Sequence, residues 1–382
     1  MYGNCFRYLS YLVLFSLGAC ASPLTVPQGS ALTTDELLRA EPLTGEADVP
    51  GLADVDVLDV DQDMLQFLAA HVNRNQGSTR RLRDLLRAII TSGNFGLEYD
   101  ETTRTAQDTF RARRGNCLSF TNMFVAMARE VGLDVTYQEV EIPPDWSLTG
   151  ETFNLSRHIN AFVDLGAGTT REVDFNIDNF QGSYDRRLIS DSRALAHYYS
   201  NIGAEHLQEH RVLEALRYFR KSLAIEPGFA PAWSNLGVLY SQEEFYDYAE
   251  AAYLQALEID PHELVAMSNL GQLYAYQEQH ELADWYNQRS DRHRMRNPYF
   301  RYHLAYNAFM AEDYDAAIRH LKYSVRKEKH EDSFYFLMGL SHLQAGDASM
   351  ARRWLEKAEQ VAVDDALKRN YHSKLERLLD GR

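Results

Sequence analysis

Three side chains in the first half of this 382-residue chain have the types and the order that acyl-transfer chemistry requires. Cys117 ends the run Arg113-Arg114-Gly115-Asn116-Cys117 and precedes an apolar helical stretch with Phe120, Met123, Phe124, Met127 and Val131. Gly115 permits a tight turn, so Cys117 is expected at the N-terminus of that helix. Unpaired N–H groups and the helix dipole there favour the thiolate, the reactive form of cysteine. A thiol nucleophile also needs a base and a group that orients it. His158 opens a strand 41 residues downstream, and Asp174 lies on the next strand, 16 residues further on. Adjacent antiparallel strands would set imidazole and carboxylate side by side, so that the carboxylate fixes the imidazole tautomer. The Cys117 backbone N–H is the expected oxyanion donor, with Asn116 a weaker second. Each residue singly has an ordinary use as well: a small buried hydrophobe, a structural histidine, a strand-end acid.

The elements around these residues follow from apolar spacing. Met64, Leu65, Phe67 and Leu68, then Leu82, Leu85, Leu86, Ile89 and Ile90, recur at threes and fours, so residues 61–114 read as helices. After Gly132 the pattern changes to strands over 135–142, 159–165 and 172–175, the last two joined by a turn at Gly166 and Gly168. Helices followed by strands predict an α+β domain over 59–192. The run Arg114-Gly115-Asn116-Cys117, with Ser119-Phe120, Phe124, Met127, Ala128 and Gly132-Leu133, resembles the nucleophile segment of transglutaminase-like domains. These are a branch of the papain-like cysteine enzymes. The resemblance covers roughly 60–190. It implies a catalytic triad of Cys117, His158 and Asp174, acting on peptide or amide bonds through an acyl-thioester. It favours hydrolysis over transfer and needs no metal. The segment from Pro143 to Arg157 is an insertion that could shape or cover the cleft.

From Ala196 onward a 34-residue period runs five times without a break, with starts at 196, 230, 264, 298 and 332. The eighth residue of each repeat is Gly203, Gly237, Gly271, Ala305 and Gly339, and the twentieth is alanine throughout. Small residues there let two helices approach closely. Pro227 and Pro261 fall where a helix must end. Trp233, Leu236, Gly237, Tyr240, Ala249, Tyr253, Ala256 and Pro261 are similar to the tetratricopeptide consensus. The resemblance implies an all-α solenoid over 196–365, closed by a capping helix at 366–382. It also implies that Tyr299, Tyr302, Tyr306 and Phe309 of the fourth repeat face a concave, partner-binding groove. The same stripe could equally pack against the chain itself.

Residues 1–19 combine Arg7 with a short apolar run and end in Leu17-Gly18-Ala19-Cys20. This resembles a bacterial lipoprotein signal. It implies cleavage before Cys20, lipidation of that thiol and anchoring in the cell envelope, and Ala21 after the cysteine implies the outer membrane. Residues 20–58, broken by proline and glycine, read as a flexible tether. A formal charge of -16 argues against nucleic acid as a partner. Cofactors are not expected, because no His or Cys spacing suits a metal and no Gly-rich phosphate loop occurs. Asp174, Asn176 and Asp178 alternate like calcium ligands but lack the glycine and distal glutamate of a calcium loop. A second reading stays open: a non-catalytic envelope scaffold in which the repeats bind proteins and the α+β domain is structural.

Overall fold

A computed structural model describes residues 26–27, 32–45, 49–90, 95–141, 147–149, 152–154, 158–175 and 185–362. The signal segment, Cys20 and the expected capping helix at 366–382 lie outside these residues. No described helix is long and apolar enough to cross a membrane.

Two helical turns, α1 (Thr34–Leu37) and α2 (Glu41–Thr44), come first, followed by α3 (Gln62–His71) and α4 (Ser78–Ile90). A short strand β1 (Glu98–Tyr99), α5 (Ala106–Ala112) and β2 (Arg114–Gly115) lead into α6 (Cys117–Glu130). Then come β3 (Asp134–Glu141), the hairpin β4 (Ser147–Thr149) and β5 (Thr152–Asn154), β6 (His158–Asp164), β7 (Thr170–Val173) and β8 (Asp185–Ile189). The main sheet has the order β7-β6-β3-β8, with every neighbouring pair antiparallel. α6 packs on it, with Met123, Phe124, Val125 and Met127 fully buried beside the buried polar side chains of Thr121 and Asn122. Both faces of β3 and β6 are largely buried, which is why their sequence alternation is loose. β8 is not among the strands that the sequence pattern predicts; its three central arginine and leucine residues are exposed or half-buried and give no strand-like apolar period.

Among the described residues the array is built of five helix pairs: α7 (Asp191–Gln208) with α8 (Val212–Ile225), α9 (Ala230–Gln242) with α10 (Tyr246–Ile259), and α11 (Leu264–Tyr276) with α12 (His280–Arg294). α13 (Pro298–Met310) with α14 (Tyr314–Lys327) and α15 (Asp332–Gln344) with α16 (Ala348–Val361) complete it. The first helix of each pair ends on a left-handed residue: His210, Glu244, Glu278, Glu312 and Gly346. The next N–H then bonds back to the carbonyl five residues earlier, as from Phe245 to Tyr240 at 2.9 Å. Four of the five left-handed residues carry side chains, so glycine does not mark this turn in the sequence. The small residue at the eighth position has a specific cause. A Cβ added at Gly237 would sit 2.5 Å from the ring of Tyr253, which is fully buried. Gly237→Ala gains roughly 1 kcal/mol of helix propensity but overpacks a ring that cannot move. We expect a net loss of about 1–2 kcal/mol, read as a lower denaturant midpoint.

α7 belongs to both units. It begins at Asp191, capped by the Ser190 hydroxyl, earlier than the repeat period alone indicates. Ala194, Tyr198 and Tyr199 pack into the core of the α+β domain, while Ala196 and Leu207 pack into the array. The tether reading of 20–58 is corrected by residues 32–45 and 49–58. Leu37 and Ala40 are fully buried against the array, and Tyr240 donates its hydroxyl to the Leu37 carbonyl at 2.7 Å. Further along, Arg217 donates to the Pro50 carbonyl at 2.8 Å and Lys221 pairs with Asp54. Prolines and glycines in this stretch break regular elements, but its few apolar side chains are enough to fasten it as a strap.

Candidate active site

Cys117 is the first residue of α6 and is half-buried with a free thiol. The chain reaches it through a tight path. α5 ends on Arg113 in the left-handed region, and β2 pairs with β1 in parallel, Tyr99 opposite Gly115. A Cβ at Gly115 would lie 2.6 Å from that of Ser119, so only glycine fits where the chain folds over the first helical turn. Asn116 is the helix cap, its Oδ1 accepting from the Ser119 N–H at 2.9 Å. That use occupies the side chain expected as a second oxyanion donor, and its amide N–H donates instead to the Thr103 hydroxyl at 2.8 Å. The Thr103 N–H in turn donates to Glu205 of α7 at 2.8 Å. A hydrogen-bonded path therefore joins the first repeat helix to the cap beside Cys117.

His158 is the first residue of β6 and only 4% exposed. Asp174 follows β7 directly and lies one strand over. His158 Nε2 stands 2.8 Å from both carboxylate oxygens. With Nε2 taken, Nδ1 is the ring nitrogen left to interact with Cys117. Burial pushes the imidazolium down, but hydrogen bonds to Asp174 and to Cys117, with their charges, outweigh it and hold His158 up to about 9. The Thr121 hydroxyl, one turn into α6, lies 2.8 Å from the Cys117 carbonyl and 3.1 Å from that of Ile159. It ties the helix carrying the sulfur to the strand carrying the imidazole.

Three residues escaped the sequence reading. Asn160 donates to Asp174 Oδ2 at 3.0 Å. It stands two residues after His158, and strand parity alone puts it on the same face. Tyr99 sits close enough to Cys117 that a charge there raises its hydroxyl, after burial as the larger cause. Glu205 lies in the repeat array, about ninety residues from Cys117 in sequence, and no local pattern points to it. Asn176 and Asp178 lie outside the described residues, and Asp174 is turned onto His158 and Asn160. Among the described residues no cluster of three or more His, Cys, Asp or Glu side chains could hold a metal.

The aromatic stripe of the fourth repeat divides. Tyr302 is buried and stacked on Phe334, ring centroids 5.0 Å apart, so it belongs to the core between repeats four and five and not to an open groove. Tyr299, Tyr306 and Phe309 are partly buried against the same core. Burial, then the carboxylates of Glu331, Glu328 and Asp185, push the Tyr299 hydroxyl up. β5, within the 143–157 insertion, also runs within 8 Å of α11, measured between Cα atoms.

Residues 66–154 match the family model of the transglutaminase-like superfamily, and residues 230–263 match that of the tetratricopeptide repeat. The chain therefore carries a transglutaminase-like domain followed by a tetratricopeptide-repeat solenoid. The first match includes Cys117 but ends before His158 and Asp174. Among solved structures, the chain is similar to YrrB, described as a TPR protein with an unusual peptide-binding site. Identity is 21% over 47% of this chain and 91% of that one, with a TM-score of 0.24. It is also similar to pilF of Pseudomonas aeruginosa, at 19% identity over 50% and 96% with a TM-score of 0.27. MamA from Desulfovibrio magneticus RS-1 gives 19%, 45%, 96% and 0.25. At such scores these likenesses carry no argument, and the repeat assignment stands on the family match and the 34-residue phase. No curated protein matches the chain.

Proposed function

We propose that the chain is a lipid-anchored cell-envelope cysteine enzyme that cleaves peptide or amide bonds, with its repeats guiding a protein substrate or partner. One observation carries the catalytic part: His158 Nε2 lies 2.8 Å from the Asp174 carboxylate, and Cys117 is near enough to help raise the same imidazole. In that geometry the Cys117 thiolate attacks the carbonyl carbon and a C–S bond forms. The Cys117 backbone N–H, at the start of α6, stabilises the oxyanion. His158 gives its Nδ1 proton to the leaving nitrogen as the C–N bond breaks, leaving an acyl-thioester and a free amine. Water then attacks the thioester, passing a proton to His158, and the thiolate departs from a carboxylic acid product. An amine in place of water would give transfer. Hydrolysis is preferred here because it is the commoner outcome among bacterial relatives of this fold.

Anchoring through Cys20, facing the periplasm from the outer membrane, rests on the Leu17-Gly18-Ala19-Cys20 run. Radiolabelled palmitate incorporated by the natural chain and lost in Cys20→Ser is the expected result. For the reaction, iodoacetamide should alkylate Cys117 at pH 6 well above the rate of glutathione, and His158→Ala should remove the advantage. A Cys117 that reacts no faster than glutathione, with His158→Ala indistinguishable, would leave the scaffold reading in possession. Cys117→Ala should retain bound substrate for identification by mass spectrometry.

A further inference from the structure

We propose that Asn160 is a positioning residue of this site, holding the Asp174 carboxylate ionised and aligned on His158; the proposal rests on the Cys117–His158–Asp174 reading above. Asn160 is fully buried in β6. The sheet register pairs Ala161 with Val173 and Phe162 with Glu172, so Asn160 falls opposite Asp174 at the point where β7 ends. Its Nδ2 donates to Asp174 Oδ2 at 3.0 Å, while His158 Nε2 stands 2.8 Å from each oxygen of the same carboxylate.

The state of the other half of the amide makes the assignment specific. A carboxylate accepts only N–H or O–H donors, which fixes the amide's orientation. In that orientation Asn160 Oδ1 is buried and has no hydrogen-bond partner among the described residues. Leaving a buried carbonyl unpaired is unfavourable, and an aliphatic side chain would fill the same space without that penalty. What the aliphatic side chain would not supply is the donor to Asp174. A neutral donor suits this position. It stabilises the carboxylate anion without competing for the imidazolium's charge, and it brings no second acid to share a proton with Asp174. Loss of the donor should let Asp174 take up a proton at higher pH and turn away from His158. The imidazolium would then be less well held beside the sulfur.

The test uses the full chain and the pH dependence of Cys117 alkylation by iodoacetamide, with Asn160→Leu, Asn160→Ala and Asn160→Ser. Leucine keeps the volume and removes the donor; serine keeps a shorter donor. In wild type the acid limb of the profile should lie below that of glutathione. In Asn160→Leu and Asn160→Ala it should move up by about one pH unit, roughly a tenfold loss at pH 6, with Asn160→Ser between them and wild type. Thermal unfolding followed in parallel selects the folded variants. Folded variants with a lowered melting temperature but an unmoved acid limb overturn the proposal, because that is the signature of packing alone. Wild-type Cys117 with the profile of glutathione overturns the underlying triad reading, and this proposal with it. Those two failures differ in which protein departs from expectation.

Discussion

Asp174→Asn should reduce alkylation of Cys117 at pH 6, and any peptide-bond cleavage, on the order of 10–100-fold. The carboxylate accepts from His158 Nε2 and cannot donate, so the ring must carry a proton there and present Nδ1 to the sulfur. An asparagine in its place can accept the Nε2 proton through one amide oxygen only, so the second acceptor facing the ring is lost. It also removes the negative charge that helps hold His158 up to about 9. Without the imidazolium, no cation stands beside the sulfur to favour the thiolate, the reactive form. The pH profile of the natural protein carries the same signature. Turnover should fall as pH rises through about 9, where His158 loses the proton it gives to the leaving nitrogen. Alkylation needs no such acid and should persist above that point. The stability profile moves in the same window. Because the folded value lies above 6.5, the pair's contribution is complete below pH 6.5 and is lost as pH rises through about 9.

Glu139→Gln should destabilise the chain by about 3 kcal/mol and split a single thermal transition into two. Glu139 sits on β3 and is buried, yet it is ionised. Burial raises its carboxyl, but His197 at 2.5 Å, Arg193 at 2.7 Å and Arg187 together outweigh that and hold it well below the usual carboxylate range. His197 and Arg193 belong to α7, so this one carboxylate clamps the sheet to the first repeat helix. Glutamine fills the same volume but leaves two largely buried cations facing a neutral amide. Arg187 is mostly exposed and contributes little. His197 can shed its proton, which places the expected loss at the lower end for a broken buried pair. The sign with pH is fixed by the lowered carboxyl. The wild-type advantage should be full at neutral pH and shrink as pH falls below about 4.5. Equal stability of the two proteins at pH 7 would show that α7 is held to the sheet by apolar packing alone.

Much of this site is local and therefore written in the sequence. Gly115, Asn116 and Cys117 form a helix start because of contacts within five residues: the cap to Ser119 and the close approach that excludes a Cβ at 115. His158 and Asp174 follow from two strands joined by a short turn, where register is nearly forced by loop length. Asn160 was within reach by the same strand parity. Glu205 and Tyr99 were not, since each meets the Cys117 region through docking of elements distant in sequence or through a two-residue bridge too short to show a period.

The repeat array divides in the same way. Its 34-residue phase, the small residues at the eighth and twentieth positions and the helix-ending prolines are local demands of close helix pairs, and the sequence alone determines them. The roles of particular surfaces are not local. An apolar stripe such as Tyr299 to Phe309 looks the same whether it faces a partner or the next repeat, and only the stacking of Tyr302 on Phe334 assigns that ring to the core. The Pro- and Gly-rich stretch before residue 58 looks unstructured because it lacks regular elements. It is fastened by Leu37, Ala40 and the Tyr240 hydroxyl, contacts made across about two hundred residues. The sequence thus determined which residues could do the chemistry and the period of the scaffold beside them. The tertiary structure decided that α7 belongs to both, through Glu139 and Glu205, because long-range docking is set by how whole surfaces fit and leaves no periodic trace in the chain.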